Sequence, residues 1–215
     1  MLKKLLLFLI FFSLGVALVF AADFMVSNNT IQKLNPAIKS KFSIDNPPSD
    51  SLKGKISSLS GTVSFQPRSK DYATLINAPV EILQGEDLNT GGNGSATVIF
   101  DRIGEISLLE NTQISFIQTL PQNFVISQKQ GTATFQKTGS IPFSVRGLDL
   151  LINLESGRVS VNVDSDNSII TVDVLEGSVS AAFNDTDNLS NVITIESPRR
   201  YIFNNNTKKG RISYL

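Results

Sequence analysis

Apolar and polar residues alternate in short runs through most of the chain from Leu59 onward. The alternation is clearest from Ala96 to Phe100 and from Ile106 to Phe116, and glycine or asparagine bounds these runs. Because successive side chains of a strand point to opposite faces, a period of two predicts half-buried β-strands joined by tight turns. We therefore expect an all-β domain, a β-sandwich or β-roll of many short strands.

A glycine precedes many of these runs. The same local pattern, a glycine followed by an alternating run of small, polar and apolar residues, starts at Gly61, Gly94, Gly131, Gly157 and Gly177. Glycine adopts backbone angles that other residues avoid, so we interpret each as a turn residue that opens a strand. The same recurrence arises in any β protein whose strands start after glycine. Its uneven spacing favours stacked hairpins over a regular β-helix.

The N-terminus has a different pattern, since Lys3 and Lys4 precede a segment, Leu5 to Ala22, without any charge. As a helix this segment would be roughly 27 Å long, close to the ~30 Å hydrocarbon core of a bilayer. We expect residues 1–22 to form an apolar helix, either a cleaved signal peptide or an uncleaved single-pass membrane anchor. Both alternatives export the chain from Asp23 onward, to the periplasm, the cell surface or the medium.

Two further segments follow the apolar one. Residues 23–55 contain Asn35-Pro36 and Asn46-Pro47-Pro48, and prolines favour extended backbone for the residues before them, so this segment is expected to be a tether. Residues 56–215 carry the strand pattern and are long enough to bury one core.

Composition excludes several classes of function. The chain has 19 basic and 19 acidic residues, so no overall field favours nucleic acid as a partner. It has no histidine and no cysteine, which excludes a Ser-His-Asp triad, a cysteine nucleophile, a thiolate or imidazole zinc site and any disulfide. We expect a protein that is not an enzyme and has no cofactor. A glycosidase that uses only carboxylates remains the enzymatic alternative.

Two acidic turns are candidate calcium sites. Asp164 and Asp166 lie in one, and Asp185 and Asp187 in the other. Calcium prefers carboxylate and carbonyl oxygens, but Asp and Asn are also ordinary turn residues, and neither segment has the glycine and distal glutamate of an EF-hand. The sequence favours polar hairpin turns, with a weak calcium hypothesis beside them.

Basic residues cluster near the C-terminus, at Arg199, Arg200, Lys208, Lys209 and Arg211. They fit a strand edge protected by charge, or a surface that meets an anionic polymer. The sequence alone favours the protected edge.

Several motifs resemble the FecR domain in order and approximate spacing. They are Ser60–Phe65, Leu83–Gly91, Gly94–Phe100, Gly104–Leu108, Thr112–Ile114, Phe143–Gly147 and Thr171–Val179. The residues that match the family pattern are Gly61, Val63, Gly85, Asp87, Leu88, Thr90, Gly91, Gly94, Ala96, Gly104, Val145, Arg146, Gly147, Glu176 and Gly177. We expect these residues to be mostly structural, with the glycines in turns and Leu88, Val98, Phe100, Ile106, Leu108 and Ile114 in the core.

The resemblance implies an extracytoplasmic binding domain. Known FecR-type sensors also carry a cytoplasmic region that holds a sigma factor, and the four residues Met1 to Lys4 are too few for that role. We expect an exported or membrane-tethered domain that binds a cell-envelope protein or polymer, with the membrane as a further partner if the N-terminal helix is not cleaved. The alternative is a structural surface protein that associates with itself through exposed strand edges.

Overall fold

The computed structural model describes residues 47–215, and every regular element in that part of the chain is a β-strand. The strands are β1 (Gly54–Ser60), β2 (Val63–Gln66), β3 (Thr74–Ile76), β4 (Glu81–Ile82), β5 (Asp87–Thr90), β6 (Ser95–Phe100), β7 (Gly104–Leu108), β8 (Gln113–Leu120), β9 (Asn123–Lys137), β10 (Phe143–Gly147), β11 (Leu150–Asp164), β12 (Ile169–Asn184), β13 (Ser190–Glu196), β14 (Arg199–Asn204) and β15 (Lys209–Tyr214). The prediction of an all-β domain is confirmed.

The strands form one open mixed sheet in place of the separate short-stranded sheets of a simple sandwich. The main path runs β15-β14-β12-β11-β10-β9-β7-β6-β1-β4, with β13, β8, β5, β2 and β3 joined to it at the sides. Strand β10 runs parallel to the first half of β9, from Phe143 opposite Phe124 to Gly147 opposite Gln128. The other pairings among residues 47–215 are antiparallel.

Three strands are much longer than the pattern predicts, because β9, β11 and β12 span 15, 15 and 16 residues. Gly131, Gly157 and Gly177 lie inside these strands at positive φ, so the prediction that they open strands is wrong. Buried and exposed side chains alternate on both sides of each glycine, but the alternation after the glycine is shifted by one residue relative to the alternation before it. A bulge of this kind bends a strand and redirects its side chains. Each glycine therefore marks a bend, and the segments of the strand before and after the bend belong to two different halves of the sheet.

Gly157 and Gly177 face each other across the β11–β12 pair, where the register shifts. Their φ angles are +87° and +78°, and a Cβ on Gly157 would lie 2.1 Å from the carbonyl oxygen of Glu176. The two bends therefore require both a left-handed backbone and the absence of a side chain. The turn glycines Gly61 and Gly94, in contrast, stand just outside strands, as predicted.

The core lies between the two halves of the bent sheet and is built around phenylalanine rings. Phe124, in the first half of β9, and Phe135, in the second half, both contact the ring of Phe143 edge-on, with centroids 5.1 Å and 5.9 Å away. Phe100 of β6 lies 4.7 Å from Phe124. Offset and edge-to-face aromatic contacts add to the burial of apolar area that stabilises the fold.

The residues predicted to face this core are buried there: Leu88, Val98, Phe100, Ile106, Leu108 and Ile114. The first strand starts at Gly54, two residues before the start that the strand pattern predicts for the domain. Within residues 47–215 no helix has the length and apolar character needed to cross a membrane. The apolar segment 1–22, with its predicted helix, and most of the predicted tether lie outside the described residues.

Candidate functional site

A cleft of about 460 Å³ opens at one end of the sheet. It is lined by Arg146, Asp149, Leu150, Leu151, Asn184, Asp185, Asn188 and Lys208. These residues come from the ends of β10 and β12, the start of β11, and the turns that follow β10, β12 and β14. Four charged side chains, those of Arg146, Asp149, Asp185 and Lys208, line this concave surface, so it is the candidate binding site.

The bends explain why distant turns meet at this end. A Cβ on Gly147 would lie 2.9 Å from Cγ2 of Val163, so the end of β10 packs against the end of β11. The backbone N–H of Asn205, in the turn after β14, donates to the carbonyl oxygen of Ser168, in the turn after β11 (2.8 Å). Straight strands would instead place the turn before β11, which contains Asp149, and the turn after β14, which contains Lys208, at opposite ends of β11.

An ion pair closes one side of the cleft. The ammonium group of Lys208 donates to Oδ2 of Asp149, and Asn205 Nδ2 donates to the same oxygen at 3.1 Å. In return the backbone N–H of Asp149 donates to Oδ1 of Asn205 at 3.1 Å. The hydrogen bonds from Lys208 and Asn205 lower the pKa of the Asp149 carboxyl group below its ordinary value. The charges of Lys208 and Asp149 thus compensate each other near neutral pH.

The end of β10 carries an arginine that forms no ion pair of this kind, although its charge helps to lower the pKa of Asp149. Nε of Arg146 donates to the carbonyl oxygen of Leu148 at 3.3 Å, and the guanidinium forms no ion pair with a carboxylate of residues 47–215. Its neighbours Val145 and Gly147 are buried in the sheet, which fixes the strand from which the exposed side chain projects. Arg146 can therefore offer its guanidinium N–H donors to an anion in the cleft.

Asp185 contributes a carboxylate that its own turn already satisfies. Oδ1 accepts hydrogen bonds from the backbone N–H groups of Asp187 (3.0 Å) and Leu189 (2.9 Å), and Oδ2 accepts one from Asn191 Nδ2 (3.0 Å). These bonds lower the pKa of Asp185. Its role is to hold the turn that presents Asn184 and Asn188 to the cleft.

The other acidic turn has a similar arrangement. Asp164 accepts from the backbone N–H of Asn167 through Oδ1 (3.0 Å) and from the Asn167 side chain through Oδ2 (2.7 Å). These bonds lower the pKa of Asp164. No group of three or more acidic side chains in residues 47–215 is arranged to hold a metal ion. The calcium hypothesis for Asp164, Asp166, Asp185 and Asp187 stays a prediction.

The remaining motif residues lie away from the cleft. Glu86 is buried, accepts from the backbone N–H of Leu83 at 2.7 Å, and has a pKa raised by burial. Asp87, on the adjacent position, is instead paired with Lys129 at 2.9 Å. The two carboxylates therefore have different partners and do not form a pair that could act as acid and base.

Several other motif residues have contacts within the fold. The Thr90 hydroxyl donates to the carbonyl oxygen of Leu109 and accepts from the backbone N–H of Thr112. Glu176 pairs with Arg158 at 3.2 Å beside the bend. Val63, Ala96 and Val145 are buried. Gly85 and Gly91 lie in turns, and Gly104 begins β7.

The sequence does not predict the cleft as a site, although it names Asp185, one of the lining residues, as a candidate calcium ligand. Arg146 was named only as a structural motif residue, Lys208 only as part of a basic cluster, and Asp149 not at all. The available signals were turns rich in Asn and Asp and positive φ at Leu148, Asn188 and Lys208, of which only the turn composition is visible in the sequence.

Comparison with known proteins bears on the fold. No protein-family model matches the chain, and no curated protein matches it in sequence. Two crystal structures, each described as "a putative anti-sigma factor from Parabacteroides distasonis ATCC 8503", align with a TM-score of 0.52 at 16% and 15% identity. The alignments cover 60% of this chain and 59% of the other chain, so this chain spans less than two thirds of the length of these neighbours. At such identities the similarity shows only that this chain and the two crystal structures share a fold over the aligned part.

Proposed function

We propose that this chain is a FecR-like binding domain that acts outside the cytoplasm, exported by residues 1–22 and free of catalytic activity. The motifs that resemble the FecR domain support the family, and the structural neighbours named as anti-sigma factors are compatible with it. A domain of that kind needs a site for an envelope ligand, and the cleft at the end of the sheet is the site we propose.

The observation that carries the proposal is the guanidinium of Arg146, which forms no ion pair with a carboxylate of residues 47–215. It lies in a concave surface whose other cation, Lys208, is already paired with Asp149. A ligand carboxylate placed against Arg146 would accept charge-assisted hydrogen bonds, which contribute about 1.5–3 kcal/mol each. The proposed ligand therefore carries a free carboxylate.

The rest of the cleft fits a ligand that is also rich in hydroxyl or amide groups. Asn184 and Asn188 bring side-chain amides to the cleft, and amides both donate and accept hydrogen bonds. Leu151 adds a small apolar area, whereas Leu150 is fully buried. A cell-wall glycopeptide combines carboxylates, amides and hydroxyls, so we propose this class of ligand.

The proposal is tested with a soluble muropeptide, a disaccharide carrying a peptide stem with a free carboxylate, titrated into the full-length chain by calorimetry. We expect wild-type binding and a loss of roughly tenfold or more in affinity for Arg146→Gln, because the variant keeps hydrogen-bonding groups but loses the charge. Arg158→Gln is the matched control, since Arg158 lies at the strand bend and pairs with Glu176. We expect it to bind as the wild type does.

A second ligand distinguishes recognition of the carboxylate charge from nonspecific binding. The same muropeptide with its carboxylates amidated should bind the wild type as weakly as Arg146→Gln binds the parent compound. No heat from the wild type at millimolar muropeptide, or equal affinities for Arg146→Gln and Arg158→Gln, would show that the cleft is not this binding site.

A further inference from the structure

Four strands of the sheet pair on one side only among residues 47–215, namely β3, β4, β13 and β15, and the two longest of them are β13 and β15. Strand β13 pairs only with β12, and β15 pairs only with β14. The two strands have similar lengths, 7 and 6 residues. An open edge of this length presents unpaired N–H and C=O groups that a further strand can use.

The two edges carry opposite charge. Strand β15 contains Lys209 and Arg211 and has no acidic residue, whereas β13 contains Glu196 and has no basic residue. Lysine and arginine on an edge disfavour pairing with an edge of the same kind. The charge of β15 therefore disfavours a symmetric β15–β15 contact and favours an acidic or neutral strand such as β13.

Both strands also expose apolar side chains next to these charges. Ile212 and Tyr214 of β15 are 41% and 76% exposed, and Val192 of β13 is 67% exposed. Exposed apolar residues on two open edges are typical of surfaces that meet another chain.

We propose that β13 of one copy pairs antiparallel with β15 of a second copy, so that the protein assembles head to tail. One register satisfies charge and side-chain orientation together, with Glu196 opposite Lys209, Thr194 opposite Arg211 and Ile193 opposite Ile212. Within one copy, Ile193 lies opposite Ala181, and Ile212 lies opposite Tyr201.

The orientation of these partners explains why the register fits. Ala181 and Tyr201 are buried, so Ile193 and Ile212 both project toward the core side of their strands. The charged residues Glu196 and Lys209 project to the other side, opposite Ser178 and Asn204. Apolar side chains would thus meet on one face and opposite charges on the other, which stabilises a cross-strand pair.

The contact is heterologous, because it joins two different edges. A heterologous contact leaves a free β13 at one end of the assembly and a free β15 at the other, so it continues to add copies unless the rotation closes a ring. The cleft includes the turns that precede β13 and β15, but this inference uses only residues within those two strands and does not depend on the ligand proposed for the cleft.

Sedimentation velocity of the full-length chain in a nonionic detergent tests the assembly, because the detergent covers the apolar segment 1–22. We expect the mean sedimentation coefficient of the wild type to rise steadily with concentration. Glu196→Lys and Lys209→Glu should each weaken association roughly tenfold, since each turns an attractive pair into a repulsive one. The double variant, with the two charges exchanged, should recover association.

The control is Glu110→Lys, which makes the same change of charge in a turn away from both edges, and it should associate as the wild type does. Thermal unfolding of each variant verifies that the domain is folded. A wild type that stays monomeric at all concentrations would overturn the proposal. So would a closed dimer insensitive to Lys209→Glu, which would indicate symmetric β13 pairing, or single variants that the double variant does not rescue.

Discussion

Replacing Gly157 by alanine tests whether the bent strands hold the fold together. At φ +87° the residue is in the left-handed region, where a side chain costs about 1–2 kcal/mol. The new Cβ would also lie 2.1 Å from the carbonyl oxygen of Glu176 and 2.5 Å from its carbon. Because both atoms belong to the backbone of the paired strand, β11 and β12 must separate at the bend.

The two effects together should lower the free energy of unfolding by at least about 2 kcal/mol. For a domain of this size that corresponds to a fall of roughly 4–8 °C in Tm. Thermal and urea unfolding followed by circular dichroism measure the change. Gly177→Ala should give a similar loss, since its Cβ would lie 2.2 Å from the carbonyl oxygen of Ser156.

Gly92→Ala is the matched control for this experiment. Gly92 lies in a turn, and its added Cβ would have an ordinary contact of 3.6 Å with Oδ1 of Asn111. We expect a change within about 0.5 kcal/mol. If Gly157→Ala proved as stable as Gly92→Ala, the bend would tolerate a side chain and the reasoning about the long strands would be refuted.

Two other predictions concern the interior. Phe100→Ala should destabilise the domain by about 3–5 kcal/mol in urea unfolding, because it leaves a cavity between aromatic rings; Ile99→Ala, on the exposed face of the same strand, should cost far less, and equal losses would contradict the core assignment. Burial raises the pKa of Glu86, so the folded state keeps its proton to a higher pH than the unfolded chain does, and the wild type gains stability from this group as the pH falls. The free energy of unfolding of Glu86→Gln, relative to that of the wild type, should therefore be higher at pH 7 than at pH 4. Paired urea titrations at the two pH values measure this difference, and the opposite trend would show that Glu86 is not desolvated.

Two glycines with similar local sequences have different roles in the fold. Gly61 and Gly131 begin almost the same local sequence, Gly-Thr-Val-Ser-Phe and Gly-Thr-Ala-Thr-Phe, yet the first lies in a turn and the second lies inside a strand. Local propensity is the same in both, because a glycine at positive φ serves a turn and a bulge equally well. The difference comes from the strands that pair on each side, which belong to remote parts of the chain.

The alternation of apolar and polar residues determined by itself that residues from Leu59 onward form strands and which side chains enter the core. The period of two fixes the buried face of each strand wherever the strand is straight. Only the tertiary structure decided that there is one open sheet, that three strands bend at Gly131, Gly157 and Gly177, and that Arg146, Asp149 and Lys208 share a cleft. Those features depend on pairings between residues distant in the chain, which a pattern with a period of two residues does not encode.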